Sequence, residues 1–115
     1  GWSDPGISPF NSVNYYASVL RTTRSNPKPE DAIRLFMMPG VGHCGGGAGT
    51  DTWDKVAVLD SWRTTGKAPT QVVASHATDG KVDKTRPLCA YPKVATYKGS
   101  GDANAAANFT CRPGL

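Results

Sequence analysis

One stretch constrains this chain more than any other: Leu35-Phe36-Met37-Met38-Pro39-Gly40-Val41-Gly42-His43-Cys44-Gly45-Gly46-Gly47. Its apolar half reads as a strand over Ile33–Met38. A near-continuous apolar strand is one buried on both faces, as in a parallel sheet. Pro39-Gly40 then turns the chain, and a histidine is delivered into a glycine-rich loop. A strand followed by a turn that projects one polar side chain is a common way for an α/β fold to mount a reactive group. The glycines allow backbone angles that other residues resist and let a ligand or another backbone come close. Two other readings fall short. Gly40, Gly42 and Gly45 fit a G-x-G-x-x-G dinucleotide-binding pattern, which needs a helix to open inside it. Here the loop runs on to Thr50, and the acidic residue 20 positions beyond Gly40, Asp60, falls inside the next helix rather than at a strand tip. A P-loop would need Lys and Ser/Thr where Gly46 and Gly47 stand. An ordinary turn that happens to hold His43 stays open as the bland alternative.

The elements around this stretch alternate. Gly1-Trp2-Ser3-Asp4-Pro5 is a loop, and Pro5 biases Asp4 away from helical angles. That suits a carboxylate at the tip of a strand lying before Gly1, although an Asp-Pro turn reads equally well. Ser8 is placed to cap a helix with Pro9 at its first position. Phe10, Val13, Ala17 and Leu20 recur at helical spacing and are expected to face a core. A polar loop is expected over Ser25–Glu30. Thr50 or Asp51 is expected to cap a second helix, running to about Thr65 and stopped by Gly66. Its apolar face would hold Trp53, Val56, Ala57 and Leu59, with Trp62 packed on it. Gln71–His76 reads as a short valine-rich strand, and His76 as a structural or exposed histidine. Beyond Ala77 the chain changes character. Asp79-Gly80 is a turn, Arg86–Pro92 is extended, and the segment from Gly99 to Asn108 has almost nothing apolar to bury. The expected division is therefore residues 1–76 and an irregular tail over 77–115. Asn108-Phe109-Thr110 is a weak glycosylation sequon.

Charge and cysteine count narrow the function classes. Thirteen Lys and Arg against nine Asp and Glu give a net charge of +4. The basic residues are scattered without aromatic interleaving, so a solvated surface fits better than nucleic-acid binding. No run approaches a membrane span and none resembles a secretory signal. The chain opens on Gly1 rather than Met and is expected to be part of a longer product. Three cysteines, an odd number, leave at least one without an internal partner. A zinc site from His43, Cys44, His76 and Cys89 matches no known spacing and is rejected.

Three stretches together closely resemble the C-terminal part of the tannase and feruloyl esterase family. They are Gly1-Trp2-Ser3-Asp4-Pro5, Gly40-Val41-Gly42-His43-Cys44-Gly45-Gly46-Gly47, and Arg86-Pro87-Leu88-Cys89 through Tyr97-Lys98-Gly99-Ser100-Gly101-Asp102. The resemblance covers essentially the whole chain in order and spacing. It implies the C-terminal portion of an α/β-hydrolase fold, its last strands and helices, with a disulfide-tethered tail. It implies a serine carboxylesterase acting on phenolic or aromatic esters, such as gallate or ferulate esters. Carried over, Asp4 is the triad acid and His43 the triad base. Cys89 and Cys111 match a family disulfide near the C-terminus, and Cys44 matches a cysteine whose partner lies just before the nucleophilic serine. Secretion or a periplasmic location follows from disulfide use.

The departure is the nucleophile. None of Ser3, Ser8, Ser12, Ser18, Ser25, Ser61, Ser75 or Ser100 stands in a G-x-S-x-G context. The family's lid domain is absent too. The resemblance allows a structural calcium in that lid and implies no cofactor within this chain. The expectation is a C-terminal fragment of one catalytic domain, inactive alone, whose partner is the missing N-terminal part of the same enzyme. A non-catalytic fold fragment, one half of a split esterase, and a nucleotide-binding glycine loop are the alternatives.

Overall fold

Asp79 and Gly80 both adopt positive φ, 51° and 77°. A two-residue Asp-Gly turn of this kind matches the twist of the strands it joins and closes a hairpin. In the computed structural model, which describes residues 1–23 and 28–114, that hairpin is the scaffold. Strand β1 (Gln71–Thr78) pairs antiparallel with β2 (Lys81–Cys89), from Gln71↔Cys89 to Thr78↔Lys81. Val72, Ala74 and Leu88 form its buried centre, with Phe36, Met38, Trp53 and Val58 packed on them. Full burial of a valine or leucine side chain contributes roughly 1.5–3 kcal/mol.

A second hairpin follows. Strand β3 (Lys93–Tyr97) pairs antiparallel with β4 (Phe109–Pro113), and the Cys89–Cys111 disulfide, with Cα atoms 5.7 Å apart, ties it to the end of β2. The irregular tail expected over residues 77–115 is thus corrected to three strands, with irregular backbone confined mainly to the Gly99–Asn108 connection. Hydrogen bonding, more than apolar burial, orders that connection. Tyr97 Oη donates to the Gly101 carbonyl, Lys98 Nζ to that of Ala107, and Asn108 Nδ2 to that of Asp102. Arg86 covers the Phe109 ring at 4.1 Å.

Helix α1 spans Phe10–Thr22. Pro9, not Ser8, holds the cap position, already in helical geometry, and no side chain caps the end. The stripe differs as well. Val13 and Tyr16 are buried, Tyr16 edge-on to Tyr91, while Phe10 lies largely in solvent with its edge against Trp2. Residues 25–27 of the expected polar loop lie outside the described residues, and Pro29–Ala32 form a single helical turn, α2.

The apolar run Ile33–Met38 is not a ladder strand among the described residues. Phe36 makes one antiparallel bridge to Ala90, and Leu35 accepts a bond from Tyr91 N. All pairings among the described residues are antiparallel, so the parallel sheet read from this run does not form within them. The run is apolar because it lies across the hairpin's core. Helix α3 (Lys55–Thr65) begins later than expected, because the Asp54 carboxylate captures Ala57 N and caps it. Thr50 is buried instead, and Asp51 and Thr52 pair with Ser75 on β1. Gly66 ends α3 in left-handed geometry, as expected. No residue of α3 is fully buried, and Val56 and Leu59 point to solvent.

Candidate active site

Two backbone bonds register the loop at the start of the chain on the run before His43. Trp2 N donates to the Met38 carbonyl (2.9 Å) and Ser3 N to that of Val41 (3.0 Å). Val41 is wholly buried beneath them. This register places Asp4 beside the glycine loop. Asp4 Oδ1 accepts from Gly6 N and Ile7 N, both at 2.9 Å, an arrangement typical of an aspartate that organises its own turn. Asp4 Oδ2 lies 2.6 Å from His43 Nδ1, across a separation of 39 residues.

The electrostatics follow from those contacts. The Ile7 N–H, the His43 ring and the Gly6 N–H hold the Asp4 carboxyl down, from an ordinary 3.8 to about 2. An ionised carboxylate only accepts hydrogen bonds, so Nδ1 of His43 carries the donated proton. In the neutral ring Nε2 is then the free acceptor. The Asp4 side chain is 9 % exposed and that of His43 59 %. The carboxylate is sheltered and the ring is open.

The glycines serve this presentation. A Cβ at Gly49 would collide with the Pro39 carbonyl oxygen, and one at Gly47, where φ is 90°, with that of Gly40. Gly49 N bonds the Gly40 carbonyl and Gly42 N that of Gly46, so the loop closes on itself around His43 and Cys44. No helix opens inside the motif; the next helical residue is Lys55. That is unlike the dinucleotide-binding arrangement. A cleft of about 260 Å³ beside the pair is lined by Asp4, Ile7, Ser8, Met37, His43 and Cys44.

The other candidate residues fall elsewhere. Cys44 is an exposed free thiol, and Cys89 and Cys111 are bonded on the hairpin side. His76 makes a second carboxylate pair, its Nδ1 2.7 Å from Asp83 Oδ1, while Thr78 Oγ1 donates to Asp83 Oδ2. Sequence reasoning missed this pair. The register explains it: His76 faces Lys84 and Ala77 faces Val82, so Asp83 is the extra residue of a β-bulge. Among the described residues no cluster of three or more His, Cys, Asp or Glu is arranged to hold a metal ion. No helix among them is long and apolar enough to cross a membrane.

Comparison with known proteins places these features in company. The family model described as tannase and feruloyl esterase matches residues 1–112. The chain is 43% identical over 114 residues to the mono(2-hydroxyethyl) terephthalate hydrolase of Piscinibacter sakaiensis, covering 96% of this chain and 18% of that protein. It is 39% identical over 116 residues to a probable feruloyl esterase of Arthroderma benhamiae, covering 96% of this chain and 21% of that protein. The crystal structure of feruloyl esterase B from Aspergillus oryzae superposes with a TM-score of 0.81 at 27% identity, over 97% of this chain and 25% of that one. The chain thus spans about a fifth of the length of the curated relatives it matches.

Proposed function

Because the chain belongs to the tannase and feruloyl esterase family, we propose that it carries the acid and base of a serine carboxylesterase acting on phenolic or aromatic esters. The observation that carries this reading is the Asp4–His43 pair, with its sheltered carboxylate and open ring. In the proposed reaction Nε2 of His43 takes the proton of a serine hydroxyl as the serine oxygen attacks the ester carbonyl. The imidazolium then protonates the leaving alcohol. In the second half His43 takes a proton from water as it attacks the acyl-enzyme, and returns it to the serine. Asp4 fixes the tautomer and stabilises the imidazolium throughout, without itself taking the proton.

On this reading the serine comes from another part of the same protein, since no serine here has a nucleophile-elbow context. The chain is then the C-terminal portion of an α/β-hydrolase catalytic domain. The unburied face of α3 and the exposed Val73 and Val82 support that role, being apolar surface that the rest of such a domain would cover. The partner of Cys44 lies in that remainder, as does any calcium-bearing lid, and no cofactor is assigned to this chain. The Cys89–Cys111 bridge favours an oxidising compartment, extracellular or periplasmic.

The test is turnover of methyl ferulate by the full-length protein. His43→Ala should lose at least ~10³-fold in kcat, with partial recovery on adding imidazole, as expected for a general base. Wild-type turnover in that variant would remove the assignment.

A further inference from the structure

We propose that Asp51 is a positioning residue for His43, an inference that deepens the esterase reading and rests on it. Three adjacent glycines, Gly45 to Gly47, follow the base in sequence. Glycines lose more backbone freedom on ordering than any other residue, and they offer no side chain with which to hold a shape. Something outside the run must set the loop. The Asp51 carboxylate does so. Its Oδ2 accepts the Gly46 N–H at 2.9 Å. The same residue's carbonyl accepts the Gly42 N–H at 3.0 Å, and Gly42 immediately precedes His43. One residue is thus gripped on its N–H by the carboxylate and on its carbonyl by the residue before the base.

Asp51 is itself well rooted. Its backbone N–H donates to the Ser75 carbonyl on β1, and Thr52 pairs with Ser75 in both directions. Thr52 Oγ1 donates to Asp51 Oδ1 at 3.0 Å, which leaves Oδ2 for the loop. The Gly46 N–H first, and the Thr52 hydroxyl second, hold the Asp51 carboxyl below its ordinary range, so the acceptor is charged at neutral pH. A bond from a backbone N–H to a carboxylate is among the stronger kinds available to a loop. The scaffold hairpin thereby reaches the base through Ser75, Asp51, Gly46 and Gly42. A second link joins the same two parts: Lys84 Nζ on β2 donates to the Ala48 carbonyl.

The test uses the full-length protein and three variants. Asp51→Asn keeps an oxygen acceptor of the same reach, Asp51→Glu keeps the charge but displaces it, and Asp51→Ala removes it. Because a misplacement of ~1 Å at a reacting group can cost about a hundredfold, kcat for methyl ferulate should fall ~100-fold in Asp51→Ala, ~10-fold in Asp51→Glu and at most ~3-fold in Asp51→Asn. KM should stay within about twofold, since substrate contacts are untouched. In protein carrying isotopically labelled histidine, the His43 Nδ1 proton should broaden in the same order. Wild-type turnover in Asp51→Ala overturns the proposal, as does an Asp51→Glu variant indistinguishable from Asp51→Asn. The Glu–Asn contrast decides it if the alanine variant does not fold. Should His43→Ala itself retain turnover, the esterase reading fails. The positioning proposal is then judged on the Nδ1 proton alone: its broadening in Asp51→Ala or Asp51→Glu but not in Asp51→Asn supports it, and its persistence in both overturns it.

Discussion

Among the described residues there are two histidine–aspartate pairs of nearly the same geometry, and they are built in opposite senses. His43 meets Asp4 at 2.6 Å and His76 meets Asp83 at 2.7 Å, through Nδ1 in both cases. In the first the ring is 59 % exposed and the carboxylate 9 %. In the second the ring is 23 % exposed and the carboxylate 44 %. On the proposed esterase reading the first arrangement suits its task, since a general base must reach its proton and an orienting carboxylate acts more strongly when sheltered from water. The second pair has its open side on the carboxylate, and both its members belong to the β1–β2 hairpin. Its partners also lie close in sequence, seven residues apart across one turn, while the first pair joins loops separated by 39. On the proposed reading, then, a histidine–carboxylate distance alone does not mark an active site. What separates the two is which member of the pair faces the open side.

The sharpest way to break this contrast is to neutralise each carboxylate in turn. In the full-length protein Asp4→Asn should lower kcat on methyl ferulate by up to ~10⁴, since the amide favours the wrong imidazole tautomer. Asp83→Asn should change it by no more than ~3-fold, as befits a surface polar change. Equal losses from both would erase the distinction drawn between the pairs. A middling effect is expected from the disulfide. Replacing Cys89 and Cys111 by serine releases a crosslink between positions 22 residues apart. The chain-entropy model puts that cost at roughly 3 kcal/mol of stability. It should appear as a lower denaturant midpoint, with the His76 ring disturbed before that of His43, because the bridge fastens the hairpin side. If His43 were disturbed first, the two pairs would not be independently supported.

The smallest effect is in the acid limb of stability. The Asp4 carboxyl is held at about 2 when folded, below its ordinary 3.8. Its contribution is present above the unfolded value and is lost as pH falls through that window toward about 2. Asp83 is lowered too, by the Thr78 hydroxyl first and then the His76 ring, so its contribution has the same sign. Asp4 has three donors and Asp83 two. Denaturant midpoints measured between pH 5 and pH 2, a range set by the ordinary carboxylate value, should therefore flatten more in Asp4→Asn than in Asp83→Asn. The reverse order would show that the sheltered pair is the weaker one.

Sequence and structure agree most closely where chemistry is local. Gly66 stops α3 as its position announces, Asp79-Gly80 turns the chain, and helix α1 forms as expected, although its buried stripe is Val13 and Tyr16 and not the one expected. The nearness of Asp4 and His43 was legible only through resemblance, since no local pattern carries a contact across 39 residues. The hairpins were missed despite a readable signal. Asp79-Gly80 flanked by pairable residues is a hairpin turn in its own right, but the polar composition of β2 hid the strand after it. Ile33–Met38 misled for the converse reason. An apolar run records burial, and burial against a sheet leaves the same trace as burial within one. The His76–Asp83 pair depends on a one-residue bulge, which no periodicity reveals.

The bonds from Trp2 to Met38 and from Ser3 to Val41 run entirely between backbone atoms. A joint of that kind uses no side-chain hydrogen bond, and its one steric demand is at Gly1, where a Cβ would collide with the Val41 carbonyl oxygen. It also takes no notice of how many residues lie between its two halves, so α1 and the segment after it form an excursion that starts and ends at one fixed seam. Variation in that excursion, whether by substitution or by added length, replaces none of the four backbone atoms that make the seam. Asp4 and His43 lie just beyond that seam, so on the esterase reading the pair can keep one geometry while the surface beside it is reshaped.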